Sequence, residues 1–131
     1  MELHDSVRGL AHIGVRVHDL SRSVAFYERL GFKLSWGPFG AERVTALVHP
    51  SSLEINLIVN AHDASAPNIL MDVGEKHAGY THIALKIDDV TAVERALTKA
   101  GIAISGRRGQ NPVNAVFIRD PDGNVIEMAA D

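Results

Sequence analysis

Two histidines stand seventy residues apart in matching surroundings, Leu10-Ala11-His12-Ile13 and Tyr80-Thr81-His82-Ile83, and a glutamate follows at position 127. Imidazole nitrogen and carboxylate oxygen together suit a divalent cation. The chain has 131 residues, seven histidines and no cysteine, so disulfides, thiolate nucleophiles, cysteine zinc sites and iron–sulfur clusters are all excluded. Any metal must be held by His, Asp or Glu. The lack of cysteine also suits a reducing compartment, and the localisation expected is cytoplasmic.

The elements that must position these residues emerge from an internal repeat. An offset of 70 sets Leu10 to Phe32 against Tyr80 to Ile102 without a gap, with identities at His12/His82, Ile13/Ile83, Asp19/Asp89 and Gly31/Gly101. Both copies run through an alternating strand, a polar turn, an amphipathic stretch and a glycine stop, in that order. An offset of 71 then matches His49-Pro50-Ser51 to Asp120-Pro121-Asp122, and pairs Asn56 with Glu127. The chain reads as one domain of two modules, about 8–60 and 79–131, joined by a connection over 61–78 that is long for a compact domain.

Within each module the order is strand, helix, then strands. Leu10 to Val17 alternates as a strand, and Ser21 to Leu30 carries Val24, Tyr27 and Leu30 at helical spacing before Gly31. Residues 32–36, 43–48 and 53–59 predict three further strands, with Gly37 to Gly40 as a loop between the first two. The second module predicts strands over 81–87, 102–105, 115–119 and 124–129, with a helix over 90–100. Val and Ile number 23 against 11 Leu, which also favours strands.

Successive strand residues point to opposite faces. Ile13, Val15 and Val17 form an apolar set expected against the helix, as do Ile83, Leu85 and Ile87. The opposite face then carries His12, Arg16, Glu54, Asn56, Asn60, His82, Lys86 and Glu127 at the centres of its strands. A solvated face is the plain reading of such a pattern. Leu10, Gly14, Ile58, Ala84, Val125 and Ala129 share that face, however, and suit the wall of a cavity.

The repeat makes His12 and His82 pseudo-symmetric, and Asn56 and Glu127 likewise. Two imidazoles and a carboxylate on one wall suit a divalent ion, with Ni, Zn, Co, Mn and Fe all compatible. For one lone histidine a simple hydrogen bond would suffice; two related by the repeat, with a matched carboxylate, favour metal. His4, His18, His49 and His62 fall in the N-terminal arm or beside turns, and His77 in the long connection. Asp88, Asp89, Asp120 and Asp122 sit where carboxylates cap helices and turns.

Charge narrows the partners. Thirteen basic and sixteen acidic residues give a net charge of −3, with no long run of either sign, so no phosphate-tracking surface for nucleic acid is expected. The start, Met-Glu-Leu-His-Asp, is not that of a signal peptide. No apolar stretch approaches the roughly 18 residues that span a bilayer. A small-molecule ligand is the partner left.

Leu-Ala-His-Ile-Gly-Val-Arg-Val at 10–17, Phe-Tyr-Glu-Arg-Leu-Gly-Phe at 26–32, Gly-Tyr-Thr-His-Ile-Ala-Leu at 79–85 and Asp-Pro-Asp-Gly-Asn-Val-Ile-Glu at 120–127 resemble the vicinal oxygen chelate superfamily. That superfamily includes glyoxalase I, fosfomycin-resistance thiol transferases, extradiol dioxygenases and bleomycin-binding proteins. The resemblance spans nearly the whole chain and implies an α+β fold: two tandem βαβββ modules forming a curved mixed sheet around a cavity, helices outside. It is nearest to bacterial glyoxalase I. It then implies one divalent metal held by His12, His82 and Glu127, Glu127 as catalytic base, and Arg16 and Asn60 holding the γ-glutamyl end of glutathione as cosubstrate. Lys86 is a further candidate for substrate carboxylates, and a homodimer is the assembly implied.

The departure from glyoxalase I is at the fourth ligand, where a glutamate is replaced by Asn56; Glu54 lies two residues earlier on the same face. One carboxylate fewer leaves a bound cation more positive and removes one of two candidate bases. Two histidines with one glutamate also match the ligand set of Fe(II) extradiol dioxygenases, which stand as an alternative. A metal-free binding protein of the bleomycin type is a third reading, and a fosfomycin-type thiol transferase shares the same three residues. The loops at 37–42, 61–78 and 106–113 are expected to shape substrate choice.

Overall fold

The structure is a computed structural model that describes residues 1–62 and 66–131. It divides into two compact units, Met1–His62 and Asp63–Asp131. The first contains α1 (Leu3–Ser6), β1 (Ile13–Arg16), α2 (Leu20–Arg29), β2 (Lys33–Phe39), β3 (Val44–Val48) and β4 (Glu54–Ile58). The second contains β5 (Ile83–Lys86), α3 (Val90–Ala100), β6 (Gly106–Arg108), β7 (Ala115–Arg119) and β8 (Val125–Ala129). Each unit builds one four-stranded mixed sheet, in the orders β1-β4-β3-β2 and β5-β8-β7-β6. The fold is α+β, and both units are βαβββ.

The repeat persists down to single hydrogen bonds. β1 pairs parallel to β4 with Gly14 opposite Asn56, and β5 pairs parallel to β8 with Ala84 opposite Glu127. Asp19 caps α2 by accepting from Arg22 N at 2.9 Å, and Asp89 caps α3 by accepting from Ala92 N at 3.2 Å. Each cap satisfies an N–H that the first helical turn leaves unpaired. The turn before β4 is closed by His49 N to Leu53 O (2.9 Å), and its counterpart before β8 by Asp120 N to Asn124 O (3.0 Å). Ser52 and Gly123, which the offset of 71 aligns, both have positive φ, 76° and 80°. Glycine adopts that conformation without the Cβ penalty that serine bears.

Core and alternation follow the expected division. In the first unit Val17, Thr45, Leu47, Ile55 and Leu57 are essentially inaccessible to solvent, with Phe26, Tyr27 and Phe32 buried beside them. The three rings meet edge to face, with centroids 5.2 and 5.9 Å apart, an arrangement worth about 0.5–1.5 kcal/mol per pair beyond simple burial. In the second unit Leu97, Ile102, Val116, Ile118 and Ile126 are buried.

Three sequence expectations change. The Gly37-Pro38-Phe39 stretch belongs to β2, which reaches Phe39 through two register shifts against β3. Bulges admit the extra residues of an edge strand that alternation alone does not foresee. The strand expected at 102–105 forms later, at 106–108, because Gly106, Arg107 and Arg108 are the residues that meet Phe117, Val116 and Ala115 of β7. Finally, β1 and β5 begin at Ile13 and Ile83, where pairing with β4 and β8 begins, so His12 and His82 stand one residue ahead of their strands rather than at the centres.

Residues 66–78 associate with the second unit. Asn68 donates from its backbone N–H to Asp122 O (2.7 Å) and from its side chain to Asn124 Oδ1 (2.8 Å). Arg119 donates to both carboxylate oxygens of Asp72, at 2.9 and 3.0 Å. Of the connection, Asp63, Ala64 and Ser65 lie outside the described residues.

Candidate metal and substrate site

In the second unit, β8 places Glu127 opposite Ala84 of β5 and Phe117 of β7. The side chain lies on the face away from Ile126, hence away from the apolar core. Glu127 is nonetheless only 8% exposed, and a carboxylate so far from water needs partners for both oxygens. It has them. His82 Nε2 lies 2.9 Å from Oε1, and Arg108 approaches Oε2 with Nη2 at 2.7 Å and Nε at 3.3 Å.

The cluster extends outward at both ends. Thr81 Oγ1 lies 2.8 Å from His82 Nδ1, and the imidazole meets the Phe117 ring edge to face with centroids 5.9 Å apart. Arg108 Nη2 also reaches both carboxylate oxygens of Asp131 at 3.2 Å. Hydrogen bonds to Glu127 first, and then to Asp131, hold the Arg108 guanidinium above its ordinary pKa, so it stays charged.

This geometry fits a cation. Two donors about 3 Å apart span one edge of a coordination polyhedron with bonds near 2.1 Å. Were a cation to replace the hydrogen bond between His82 Nε2 and Glu127 Oε1, Thr81 could accept from Nδ1–H and leave Nε2 bare, the tautomer a metal requires. Among the described residues, no group of three or more His, Asp or Glu gathers as a cation site, so His82 and Glu127 could offer a cation two ligands and no third.

The first unit holds the counterparts. Asn56 is 7% exposed, opposite Gly14 of β1 and Ala46 of β3. Its Oδ1 is buried without a hydrogen-bond partner among the described residues. A buried carbonyl oxygen left so is costly, and a bound water or ion is one way its bonding is completed. His12 is exposed just ahead of β1, and Glu54 is half-buried at the start of β4. Arg16 Nε donates to Asn60 Oδ1 at 2.9 Å, so the two expected substrate-binding residues are brought together. Lys86 is exposed at the end of β5.

The remaining histidines have local roles where contacts are seen. His4 lies 3.2 Å from Asp5, His18 Nδ1 is 3.3 Å from Ala61 O, and His49 Nδ1 is 2.8 Å from Ser51 Oγ. Asp120 Oδ1 accepts from the N–H groups of Asp122 and Asn124, each at 2.9 Å, and so shapes the turn as expected. Sequence reasoning missed Arg108, Asp131 and Thr81. With the strand placed over 102–105, Arg108 fell into a loop. Counting alternation backwards from Phe117, which faces as Glu127 does, would have set Gly106 and Arg108 on the same side.

Comparison with known proteins identifies the family and the fold. Residues 9–128 match the family model of the glyoxalase/bleomycin resistance protein/dioxygenase superfamily. The chain is 31% identical to lactoylglutathione lyase of Haemophilus influenzae over 131 residues, covering 91% of this chain and 90% of the relative. It is 26% identical to metallothiol transferase FosB of Bacillus licheniformis, covering 95% of this chain and 77% of the relative. A solved glyoxylase/bleomycin resistance protein/dioxygenase domain from Frankia sp. EAN1pec superposes with a TM-score of 0.75 at 22% identity, covering 95% of this chain and 98% of that one. With paired βαβββ units and a family match over most of its length, the chain belongs to the glyoxalase/bleomycin resistance protein/dioxygenase superfamily.

Proposed function

We propose that the protein is a divalent-metal-dependent enzyme of the glyoxalase I kind, a lyase or isomerase acting on a small substrate with two vicinal oxygens. The hemithioacetal of methylglyoxal and glutathione is the model substrate. The observation that carries this reading is the His82 Nε2–Glu127 Oε1 pair, 2.9 Å apart, with Glu127 nearly buried, His82 open to solvent and Thr81 placed to fix the imidazole tautomer. Two relatives that span most of the chain, a lactoylglutathione lyase and a metallothiol transferase, support a metal and a thiol such as glutathione.

In this reading His82 and Glu127 hold the ion together with His12, contributed by the same chain or by a second copy in a homodimer. When bound, the ion supplies Lewis acidity toward the substrate's adjacent oxygens. Glu127 Oε1, on leaving the ion, would be the atom that takes a proton from one substrate carbon and returns it to the next. Arg16, steadied by Asn60, and Lys86 bind substrate carboxylates through charge-assisted hydrogen bonds. Asn56, with its unpartnered Oδ1, occupies the position where a glyoxalase I has glutamate, and Glu54 is the nearest alternative carboxylate.

The neutral Asn56 favours one second reading, a two-His-one-Glu Fe(II) dioxygenase. A single series of assays separates these from a metal-free binding protein. Purified protein is analysed for metal, reloaded with Ni, Zn, Co or Mn, and mixed with methylglyoxal and glutathione; thioester absorbance should rise, and a His82→Ala variant should give none. Oxygen uptake with catechols after anaerobic Fe(II) loading, with no thioester formed, would shift the assignment to the dioxygenase. Less than one metal per site after reconstitution would leave the binding protein.

A further inference from the structure

Glu127 does not choose its orientation alone. It is almost buried, its Oε1 faces His82, and its Oε2 is held by Arg108, whose Nη2 and Nε lie 2.7 and 3.3 Å away. The same Nη2 also reaches both oxygens of Asp131, at 3.2 Å. Arg108 itself sits on β6, where Arg108 pairs with Ala115 of β7, and Ala115 pairs in turn with Ala129 of β8. Three adjacent strands therefore set the distance between guanidinium and carboxylate.

We infer that Arg108 is a positioning residue that commits Glu127 to one-oxygen ligation: it occupies Oε2 and leaves Oε1, beside His82, as the atom for a metal or a proton. This rests on the metal-dependent reading above. Two effects of Arg108 on a cation oppose each other. Its charge repels the ion, while its grip orients the ligand. Asp131 offsets the charge, since the Arg108–Asp131 pair is neutral and Glu127 keeps its own negative charge for the site. Orientation is then the effect that dominates. A flat guanidinium can reach Glu127 and Asp131 at once, whereas a lysine ammonium on a flexible stem cannot reproduce the fork.

The test uses the metal alone. Mn(II) affinity is measured by electron paramagnetic resonance titration, and the visible spectrum of the Co(II)-loaded protein is recorded, for wild type, Arg108→Lys and Arg108→Met. Losing a residue that orients a ligand weakens metal binding about 10- to 100-fold. Arg108→Lys is expected near the lower figure and Arg108→Met beyond it. In both, the Co(II) bands should move and weaken as the freed carboxylate takes the ion with two oxygens. A merely structural role would change melting temperature but not the spectrum. Should Arg108→Met fail to fold, Arg108→Lys decides. Arg108→Lys with Mn(II) affinity within about two-fold of wild type and a superimposable Co(II) spectrum overturns the inference while the metal site stands. A wild type that takes up neither ion overturns the metal-dependent reading, and the inference with it.

Discussion

At the scale of single residues, the two units differ most at one matched pair, Glu127 and Asn56. Glu127 is buried with both oxygens engaged, whereas Asn56 is equally buried with Oδ1 unengaged among the described residues. A neutral amide tolerates that isolation far better than a carboxylate. The substitution Asn56→Asp therefore sets a test of whether this position faces the proposed ion. Without metal, an unpaired buried carboxylate should cost about 3–5 kcal/mol, by analogy with buried pairs that lose one partner. With metal that cost should be recovered, so the variant's melting temperature becomes far more metal-dependent than the wild type's. Equal metal-induced shifts in the two proteins would remove Asn56 from the site. The pair itself was legible in sequence from the offset alone. Arg108 was not, since a residue that acts through Glu127 lies on a different strand and shares no spacing with it.

At the scale of elements, what could be read from sequence was what local chemistry decides. Asp19 and Asp89 cap their helices, Gly31 and Gly101 follow them with positive φ, and β7 spans the residues that alternation predicts. What could not be read was decided by partners. β2 runs through Gly37 and Pro38 because β3 lies beside it, and Gly37 has φ of 99° where an added Cβ would meet the Val44 carbonyl oxygen. β6 is placed by β7, and the start of β1 by β4. The caps give the element-scale prediction. Asp89→Ala removes the acceptor for Ala92 N and should cost about 1 kcal/mol, read as a lower urea midpoint with unchanged slope. Asp89→Asn keeps an acceptor and should stay near wild type. If both variants lose the same amount, the cap is not what stabilises the start of α3.

At the scale of the whole molecule, one repeated pattern has been kept in its ladders and altered in its polar residues. The same strand order, cap and turn recur in both units, yet only the second has the Arg108–Glu127–His82 cluster and the attached segment from Asn68 to Asp72. That segment is tied to β7 and to the turn before β8 by polar groups, among them the Asp72–Arg119 pair, so its attachment should respond to acid. The Arg119 hydrogen bond comes first among the causes that hold Asp72 below its ordinary pKa of 3.8, and Arg119 is raised in turn. A carboxyl with a depressed folded pKa stabilises the folded state above its unfolded value, and that contribution disappears as pH falls through the folded value. The difference between wild type and Asp72→Asn should therefore be constant from neutral pH to about pH 5 and shrink progressively below about pH 4. Amide hydrogen exchange over residues 66–78 measures it directly, because local opening of an attached segment is seen there without global unfolding. Wild-type protection should exceed that of the variant at pH 7 and converge with it at the acid end. No gap at pH 7 would show that the backbone and side-chain hydrogen bonds of Asn68, rather than the Asp72–Arg119 pair, hold the segment in place, and a gap that persists undiminished to about pH 2 would show that it does not come from the Asp72 charge.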